Sequence, residues 1–317
     1  MARREEAGWH AVHAATFGHD RWDDLSIALQ RDPEHLCFLN PFLPGAELEV
    51  LKTDYGLEQT CIPGAFHFQL PDEADAQFRV VDSTDESVLF VEKVRAARHE
   101  VEIRGCDPSE ALSPFIFAEG AFLIVALALR VEEGDRILDG GASPGAALVL
   151  AGALFARRCA RGEPVPPDMQ GFLVCNAASK QKSSHVQKMM SSLVPPNLVD
   201  HNAYGGTGGP RLVFMTADMG TPSNSVERNG PYDKILLSAP CTDDRRLARG
   251  ANGGLTKWSS NGAKVSAERQ LKWLYNALWL LRDNGILVFC STALSPEECD
   301  GVVERLMLKV RGSFEIE

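Results

Sequence analysis

The sequence predicts an α/β fold in which a doubly wound, largely parallel sheet follows a less regular α+β segment. Three features support this prediction: short unbroken apolar runs, helical apolar periodicity between them, and loops rich in Gly, Asn, Ser and Pro. Unbroken apolar runs are typical of strands that are covered on both faces, as in a parallel sheet. We therefore place the sheet in residues 114–317 and an N-terminal α+β extension in residues 1–113.

Five runs of strand length alternate with helical patterns. The predicted strands are 136–138, 171–175, 212–215, 234–237 and 286–290, and the predicted helices are 146–157, 183–193 and 266–282. The last helix is the clearest, because apolar residues recur every three or four positions from Leu271 to Leu281. We expect the sequence DNG at 283–285 to end this helix and turn into the next strand.

The N-terminal segment gives weaker signals. Residues 80–91 and 98–104 predict strands, whereas the sequences FLNPFLPG at 38–45 and LPD at 70–72 predict turns. We infer an extension that packs on the sheet domain.

Composition excludes several classes of protein. No apolar stretch reaches the roughly 18 residues of a membrane-spanning helix, so no membrane association is predicted. The eight cysteines form neither a C-x-x-C pair nor a cluster with histidines, which argues for a reducing compartment and predicts no metal site. The first residues, MARREE, lack the apolar core of a secretory signal and make a poor transit peptide.

The formal net charge of −11 is unevenly distributed. Residues 1–130 contain 11 Lys and Arg against 23 Asp and Glu, whereas residues 131–317 contain 21 against 20. Any contact with RNA is therefore expected on the second segment. The acidic first segment is either a surface for a protein partner or an ordinary solvated face.

Three motifs follow predicted strands. ILDGGASPG at 137–145 is a glycine-rich turn that opens a helix, so Asp139, Gly140, Gly141 and Gly145 are candidates for binding a nucleotide-type cofactor. The alternative is a tight strand-to-helix turn that binds nothing.

The second and third motifs follow the fourth and fifth strands. LLSAPCTDDR at 236–245 presents Cys241, which is either an activated thiol or one of the many inert buried cysteines. FCSTALSPEE at 289–298 has the pattern of a helix start and requires no functional explanation by itself.

Together these motifs resemble the NSUN (Sun-domain) family of RNA 5-methylcytosine methyltransferases, in particular its mitochondrial branch that acts on ribosomal RNA. The family patterns D-L-C-A-A-P-G-G-K-T and D-V-P-C-T-x-D-R correspond to residues 139–148 and 238–245, and Y-S-T-C-S-L-S is matched by CSTALS at 290–295, with Phe289 before it. The segment 117–123 and the pattern of Phe17, Gly18 and Trp22 extend the resemblance over most of the chain. The resemblance implies a Rossmann-like class I methyltransferase sheet and S-adenosylmethionine as cofactor.

The chain departs from the family at the positions of its chemistry. The resemblance implies that the cysteine that attacks cytosine is replaced by Ala293, and that the aspartate that bonds the cytosine ring is replaced by Ser238. The cysteine that assists product release is kept as Cys241.

The cofactor positions implied by the resemblance are also depleted. A lysine is replaced by Ala147, and the ribose-binding acid falls at Ala177, after Asn176. Asp218 fits the acid near the adenine, and Gly141 and Gly145 remain. Each lost charge-assisted contact costs on the order of 1.5–3 kcal/mol. We therefore expect S-adenosylmethionine to bind weakly or not at all.

These departures lead to the hypothesis of a catalytically inactive methyltransferase-like protein, a structural or assembly factor of a mitochondrial ribosome. The resemblance implies a mitochondrial location, ribosomal RNA as partner, and a helical-repeat protein of the mitochondrial transcription termination factor family as protein partner. The expected RNA contacts are Lys180, Lys182, Lys188, Arg245, Arg246, Arg249, Lys257 and Lys264. The alternatives are an active methyltransferase that uses Cys241 and a scaffold that binds only proteins.

Overall fold

The computed structural model describes residues 2–31, 35–67, 112–161, 171–199, 211–312 and 314–316. These residues divide into two compact units. The first unit comprises residues 1–33, 217–231 and 235–317, and the second comprises 34–216 and 232–234. The strands predicted at 80–91 and 98–104 and the turn predicted at 70–72 lie outside the described residues. The division of the chain after residue 113 remains a prediction.

The second unit contains a small antiparallel sheet with the strand order β2-β3-β1-β4. Its strands are β1 (His35–Leu39), β2 (Glu58–Gln59), β3 (Ala65–His67) and β4 (Phe115–Glu119). Helix α3 (Gly45–Asp54) lies between β1 and β2, whereas helices α1 (Ala2–Phe17) and α2 (His19–Gln30) belong to the first unit. Cys37, Leu39, Phe66 and Phe115 form its core. The predicted turn at 38–45 was wrong at its start, because the first two of its residues pair with β4 as part of β1.

The second unit also contains three parallel strands, β5 (Arg136–Asp139), β6 (Phe172–Asn176) and β7 (Leu212–Met215). Between and before them lie α4 (Gly120–Ala128), α5 (Pro144–Ala160) and α6 (Lys180–Leu193). The predicted strands and helices here are confirmed within a few residues. The interiors of β5 and β6 are fully buried, as their unbroken apolar runs predicted.

Helix α5 begins directly after the glycine-rich motif. Ser143 caps it by accepting a hydrogen bond from the Ala146 N–H, and Pro144 occupies the first turn, where its missing N–H costs nothing. A Cβ atom at Gly145 would lie 2.8 Å from the Cβ of Ala118. Gly145 is therefore required for close packing of α5, independently of any cofactor.

The larger sheet has the strand order β7-β6-β5-β8-β9. Strand β8 (Tyr232–Ser238) begins in the second unit and continues in the first, and β9 (Leu281–Cys290) belongs to the first. The first unit also contains α7 (Asn224–Glu227), α8 (Asp244–Ala248), α9 (Ser260–Leu280) and α10 (Asp300–Val310). The predicted doubly wound α/β class is thus confirmed.

Helix α9 begins earlier in the chain than the sequence predicted. Ser259 caps it by accepting a hydrogen bond from the Gly262 N–H, so the helix begins six residues before the predicted residue 266 and ends at Leu280. The predicted turn at 283–285 was wrong as a separate element, because these residues are part of β9. Asn284 has the left-handed φ of 62° that a DNG sequence favours.

Aromatic residues from the two N-terminal helices form a core in the first unit. Trp9, Trp22 and Trp258 are buried together, and the ring centroids of Trp9 and Trp22 are 4.8 Å apart. Among the helices of the described ranges, none combines the length and the apolar character that crossing a membrane requires.

Candidate functional site

The proline-cysteine loop, residues 239–243, leaves β8 and contains the surviving cysteine. Cys241 is partly buried, and its Sγ lies 3.2 Å from the Thr292 hydroxyl oxygen. Thr292 belongs to the alanine loop, residues 291–295, which leaves β9. The structure therefore brings together the second and third motifs of the sequence.

The alanine loop has no nucleophile at its centre. Ala293 is only 6% exposed. Its N–H donates to the Ser291 hydroxyl at 3.3 Å, and its carbonyl accepts a hydrogen bond from the Cys299 thiol at 3.1 Å. The Ala293 methyl group is thus buried in a loop whose backbone N–H and carbonyl are both hydrogen-bonded.

Two other thiols lie near this loop, and neither is suited to replace the missing one. Burial raises the pKa of Cys290 above its ordinary value of 9.0. Burial also raises the pKa of Cys299, to about 11. Because the thiolate is the nucleophilic form, burial makes both cysteines less reactive than an exposed thiol.

Two buried carboxylates connect the two loops. Asp244 Oδ2 accepts a hydrogen bond of 2.7 Å from the Leu294 N–H. Glu298 Oε1 accepts one of 2.7 Å from the Thr242 N–H, and its Oε2 accepts one of 3.1 Å from the Ser295 hydroxyl. Burial raises the pKa of Glu298 above 4.5, an effect that these hydrogen bonds partly offset.

Asp244 also ties helix α1 to the loops. The Trp9 indole N–H donates to Asp244 Oδ1 at 2.8 Å, and His13 Nε2 lies 3.3 Å from the same oxygen. Both His13 and Asp244 are fully buried. Asp244 occupies the aspartate position of the family's P-C-T-x-D-R pattern. Its hydrogen bonds here give this residue a structural role that requires no part in catalysis. Sequence reasoning missed Trp9 and His13, since more than 230 residues separate them from Asp244.

The candidate cofactor residues of the second unit surround the end of β5. Asp139 is 1% exposed, and no hydrogen bond of acceptable geometry reaches either of its carboxylate oxygens in the described residues. Burial raises its pKa to about 7, although the nearby Gly141 amide lowers it somewhat. Gly140 follows Asp139 in the turn, and the Asn176 carbonyl accepts a hydrogen bond from the Ala142 N–H at 3.0 Å.

The two positions at which the resemblance implies charged cofactor contacts are buried alanines in this unit. Ala147 is 0% exposed and Ala177 is 1% exposed. The Ala177 N–H is already bonded to the Met215 carbonyl at 3.1 Å. Asp139 fits a ligand that brings a donor, whereas these two positions offer no charge to S-adenosylmethionine, the cofactor that the resemblance implies.

Asp218 lies in the first unit and already has partners. Its Oδ1 accepts hydrogen bonds of 2.9 Å from the indole N–H of Trp273 and of 2.9 Å from the Gly220 N–H. Asp218 is exposed, whereas Trp273 is buried. Its role as an adenine contact remains a prediction. Within the described ranges, no cluster of His, Cys, Asp and Glu could hold a metal ion.

The predicted RNA contacts are not all equivalent. Arg246 and Lys257 line a cavity together with Cys241, whereas Lys264 is an exposed residue of α9 outside its lining. Arg245 is partly buried, Arg249 is exposed, and Lys180, Lys182 and Lys188 are exposed on α6 in the other unit. The sequence predicted all of these residues as RNA contacts from their positive charge. The structure shows that only Arg246 and Lys257 among them line the cavity.

Comparisons with known proteins show which methyltransferases this chain resembles. A family model for the 16S rRNA methyltransferase RsmB/F matches residues 202–316. The 5-cytosine rRNA methyltransferase NSUN4 of Bos taurus is 26% identical over 304 residues, which cover 92% of this chain and 71% of that protein. The chain is similar to the NSUN proteins among the RNA methyltransferases. The resemblance predicted from the three motifs is confirmed.

Further RNA cytosine-5 methyltransferases match over shorter spans. The mitochondrial tRNA (cytosine(34)-C(5))-methyltransferase of Danio rerio is 28% identical over 63% of this chain and 48% of that protein. The 5-cytosine rRNA methyltransferase nsun-4 of Caenorhabditis elegans is 25% identical over 62% of this chain and 38% of that protein. The chain thus spans about half the length, or less, of several of these relatives.

Solved structures of methyltransferases confirm the Rossmann-like fold. NSun6 from Pyrococcus horikoshii with SFG superposes with a TM-score of 0.58 at 17% identity, covering 95% of this chain and 86% of that one. A methyltransferase homolog from the same organism gives a TM-score of 0.59 at 17% identity, covering 94% and 77%. At this identity the likeness establishes the fold alone.

Proposed function

We propose that this chain is a catalytically inactive NSUN relative that binds ribosomal RNA and serves as a structural or assembly factor of a mitochondrial ribosome. The observation that carries the proposal is Ala293, a buried methyl group at the position of the family's attacking cysteine. The neighbouring thiols of Cys290 and Cys299 are poor substitutes, because burial raises the pKa of both of them.

Cys241 supports the competing proposal of an active enzyme, because it is a cysteine at the end of a strand beside the alanine loop. Against that proposal, Ser238 replaces the aspartate that bonds the cytosine ring in the family. The Cys241 thiol also already contacts the Thr292 hydroxyl. An active mechanism would need a new partner for the base as well as a new nucleophile.

The cofactor site supports inactivity independently. S-adenosylmethionine would supply the methyl group in the family reaction, and Asp139 is the one buried carboxylate of the second unit's glycine-rich turn that could receive a donor from it. Ala147 and Ala177 remove two charged contacts, each worth on the order of 1.5–3 kcal/mol. These losses weaken binding by several hundredfold or more, which leaves the site empty at ordinary cofactor concentrations.

The proposed RNA, partner and location rest on the relatives. NSUN4 of Bos taurus and of Mus musculus are named as 5-cytosine rRNA methyltransferases, and the Danio rerio relative is named as mitochondrial. The more basic half, residues 131–317, provides the RNA surface. The acidic half provides the surface for a protein partner, which we propose is a helical-repeat protein of the mitochondrial transcription termination factor family.

A depletion and rescue experiment tests this function. Cells lacking the protein are examined by bisulfite sequencing of mitochondrial ribosomal RNA and by sedimentation of ribosomal subunits. We expect unchanged 5-methylcytosine, fewer assembled subunits, and full rescue by both the wild type and Cys241→Ala. Loss of 5-methylcytosine that the wild type restores and Cys241→Ala does not would establish the active alternative instead.

A further inference from the structure

A cavity of about 360 Å³ lies in the first unit beside the proline-cysteine loop. Helix α8, the segment before α9 and the first turns of α9 supply its other walls. Arg246 and Lys257 both line it, and neither has an ion-pair partner in the described part of the chain. Two unpaired cations at a concave site favour an anionic ligand.

The rest of the cavity wall is partly apolar and contains one N–H donor, that of the Trp258 indole, without an acceptor. Leu247, Trp258 and Ala263 line the cavity. Trp258 is 6% exposed, and its indole N–H has no acceptor among the described residues. A buried donor without an acceptor is unfavourable, so a ligand that supplies one would be stabilised.

The N-terminus of helix α9 contributes a favourable electrostatic field to the cavity but few free N–H donors. It is 21 residues long and begins at the cavity, so its positive end favours a negative group there. The Gly262 and Ala263 amides are already bonded to Ser259, which leaves the long side chains as the main donors. Asp243 also lines the cavity, but its Oδ1 accepts a hydrogen bond of 3.1 Å from the Arg246 N–H and caps α8.

We infer that this cavity holds one nucleotide of single-stranded RNA, with its phosphate against Arg246 and Lys257 and its ribose or base against the wall of Leu247, Trp258 and Ala263. The volume lies near the lower end of the range of about 300–1,000 Å³ for small-ligand sites, which suits one nucleotide. Neither Ser238 nor Ala293 lines the cavity. Cys241 is at its edge, so the cavity adjoins the two motif loops and would anchor the RNA strand beside them. The inference rests on the proposed RNA binding.

Binding of a fluorescein-labelled single-stranded RNA 12-mer, measured by anisotropy across a range of salt concentrations, tests this site. Arg246→Gln and Lys257→Gln are expected to weaken binding about tenfold each and to reduce the salt slope by about 0.7 each. Lys272→Gln, an exposed residue of α9 outside the cavity, is the matched control and should bind like the wild type.

A second variant tests the cavity separately from the charges. Ser266→Leu fills part of the cavity and keeps both cations, so it should weaken binding, whereas the exposed Ser191→Leu should not. If the wild type binds RNA and the three cavity variants bind it equally well, the inference is wrong and the proposed RNA binding stands. If the wild type binds no RNA, the RNA role and the cavity site both fail.

Discussion

Asp244 and Leu294 are joined by a hydrogen bond of 2.7 Å between the Asp244 carboxylate and the Leu294 N–H. This bond fastens the family's most specific motif to the loop that contains Ala293. The other oxygen of Asp244 receives the Trp9 indole N–H, so helix α1 shares the same anchor. The motif therefore has a structural task that does not depend on catalysis.

Replacing Asp244 is expected to destabilise the protein strongly. Asp244→Ala leaves the buried donors of Trp9 and Leu294 without acceptors, at a cost of roughly 2–4 kcal/mol in the free energy of unfolding. Urea denaturation measures the change, and the exposed Glu304→Ala serves as control and should change it by less than about 0.5 kcal/mol. A similar small effect at both positions would show that the anchor contributes little.

Asp139 is expected to make stability fall as the pH rises. Its pKa is about 7 in the folded protein against an ordinary value of 3.8. Between these values the unfolded chain releases the proton and the folded chain keeps it, so stabilisation present below pH 3.8 is lost as the pH approaches 7. The full loss amounts to about 4 kcal/mol, because each pKa unit corresponds to about 1.36 kcal/mol.

Urea midpoints of the wild type and Asp139→Asn, measured from pH 4 to pH 8, check this effect. The variant cannot titrate at this position. Its urea midpoint should therefore rise relative to that of the wild type as the pH increases. A constant difference over the whole range would mean that the Asp139 carboxyl has an ordinary pKa.

Gly145 is expected to be required for packing even though no cofactor binds. In Gly145→Ala the new Cβ would lie 2.8 Å from that of Ala118, and the forced shift should cost about 1–3 kcal/mol. Gly8→Ala is the matched control, because Gly8 lies in helix α1 with no atom within 4 Å of its added Cβ. Alanine there should stabilise by up to about 1 kcal/mol. Thermal unfolding distinguishes the two, and a neutral Gly145→Ala would refute the packing role.

S-adenosylmethionine is expected to give no measurable heat of binding in calorimetry at micromolar protein concentration. The two buried alanines at 147 and 177 leave it without two charged contacts, which together correspond to a loss of several hundredfold in affinity. Binding with a micromolar Kd would contradict this account of the cofactor site.

The sequence was sufficient for the five strands of the larger sheet and for the two motif loops, but not for β1 to β4 of the smaller sheet. Unbroken apolar runs identify buried parallel strands, and residues that follow such strands meet at one edge of the sheet, as Cys241 and Thr292 do. The start of α9 was missed because its first turns are polar and lack the apolar periodicity on which the prediction relied.

Contacts distant along the chain could not be predicted. Nothing local to Trp9 or His13 indicates that their side chains reach Asp244, since this depends on how helix α1 packs. The basic residues 245–264 looked alike in sequence, and only the fold separates the cavity pair Arg246 and Lys257 from Lys264. The burial that raises the pKa of Cys299 is likewise a property of the packed structure.

Methyl transfer to ribosomal RNA is the most direct test of the proposed inactivity. Purified protein in excess over a mitochondrial ribosomal RNA transcript is incubated with S-adenosylmethionine that has a tritiated methyl group, and label in the RNA is counted. We predict no incorporation above a no-protein blank for the wild type or for Cys241→Ala. Incorporation by the wild type that Cys241→Ala abolishes would contradict the account and assign the reaction to Cys241.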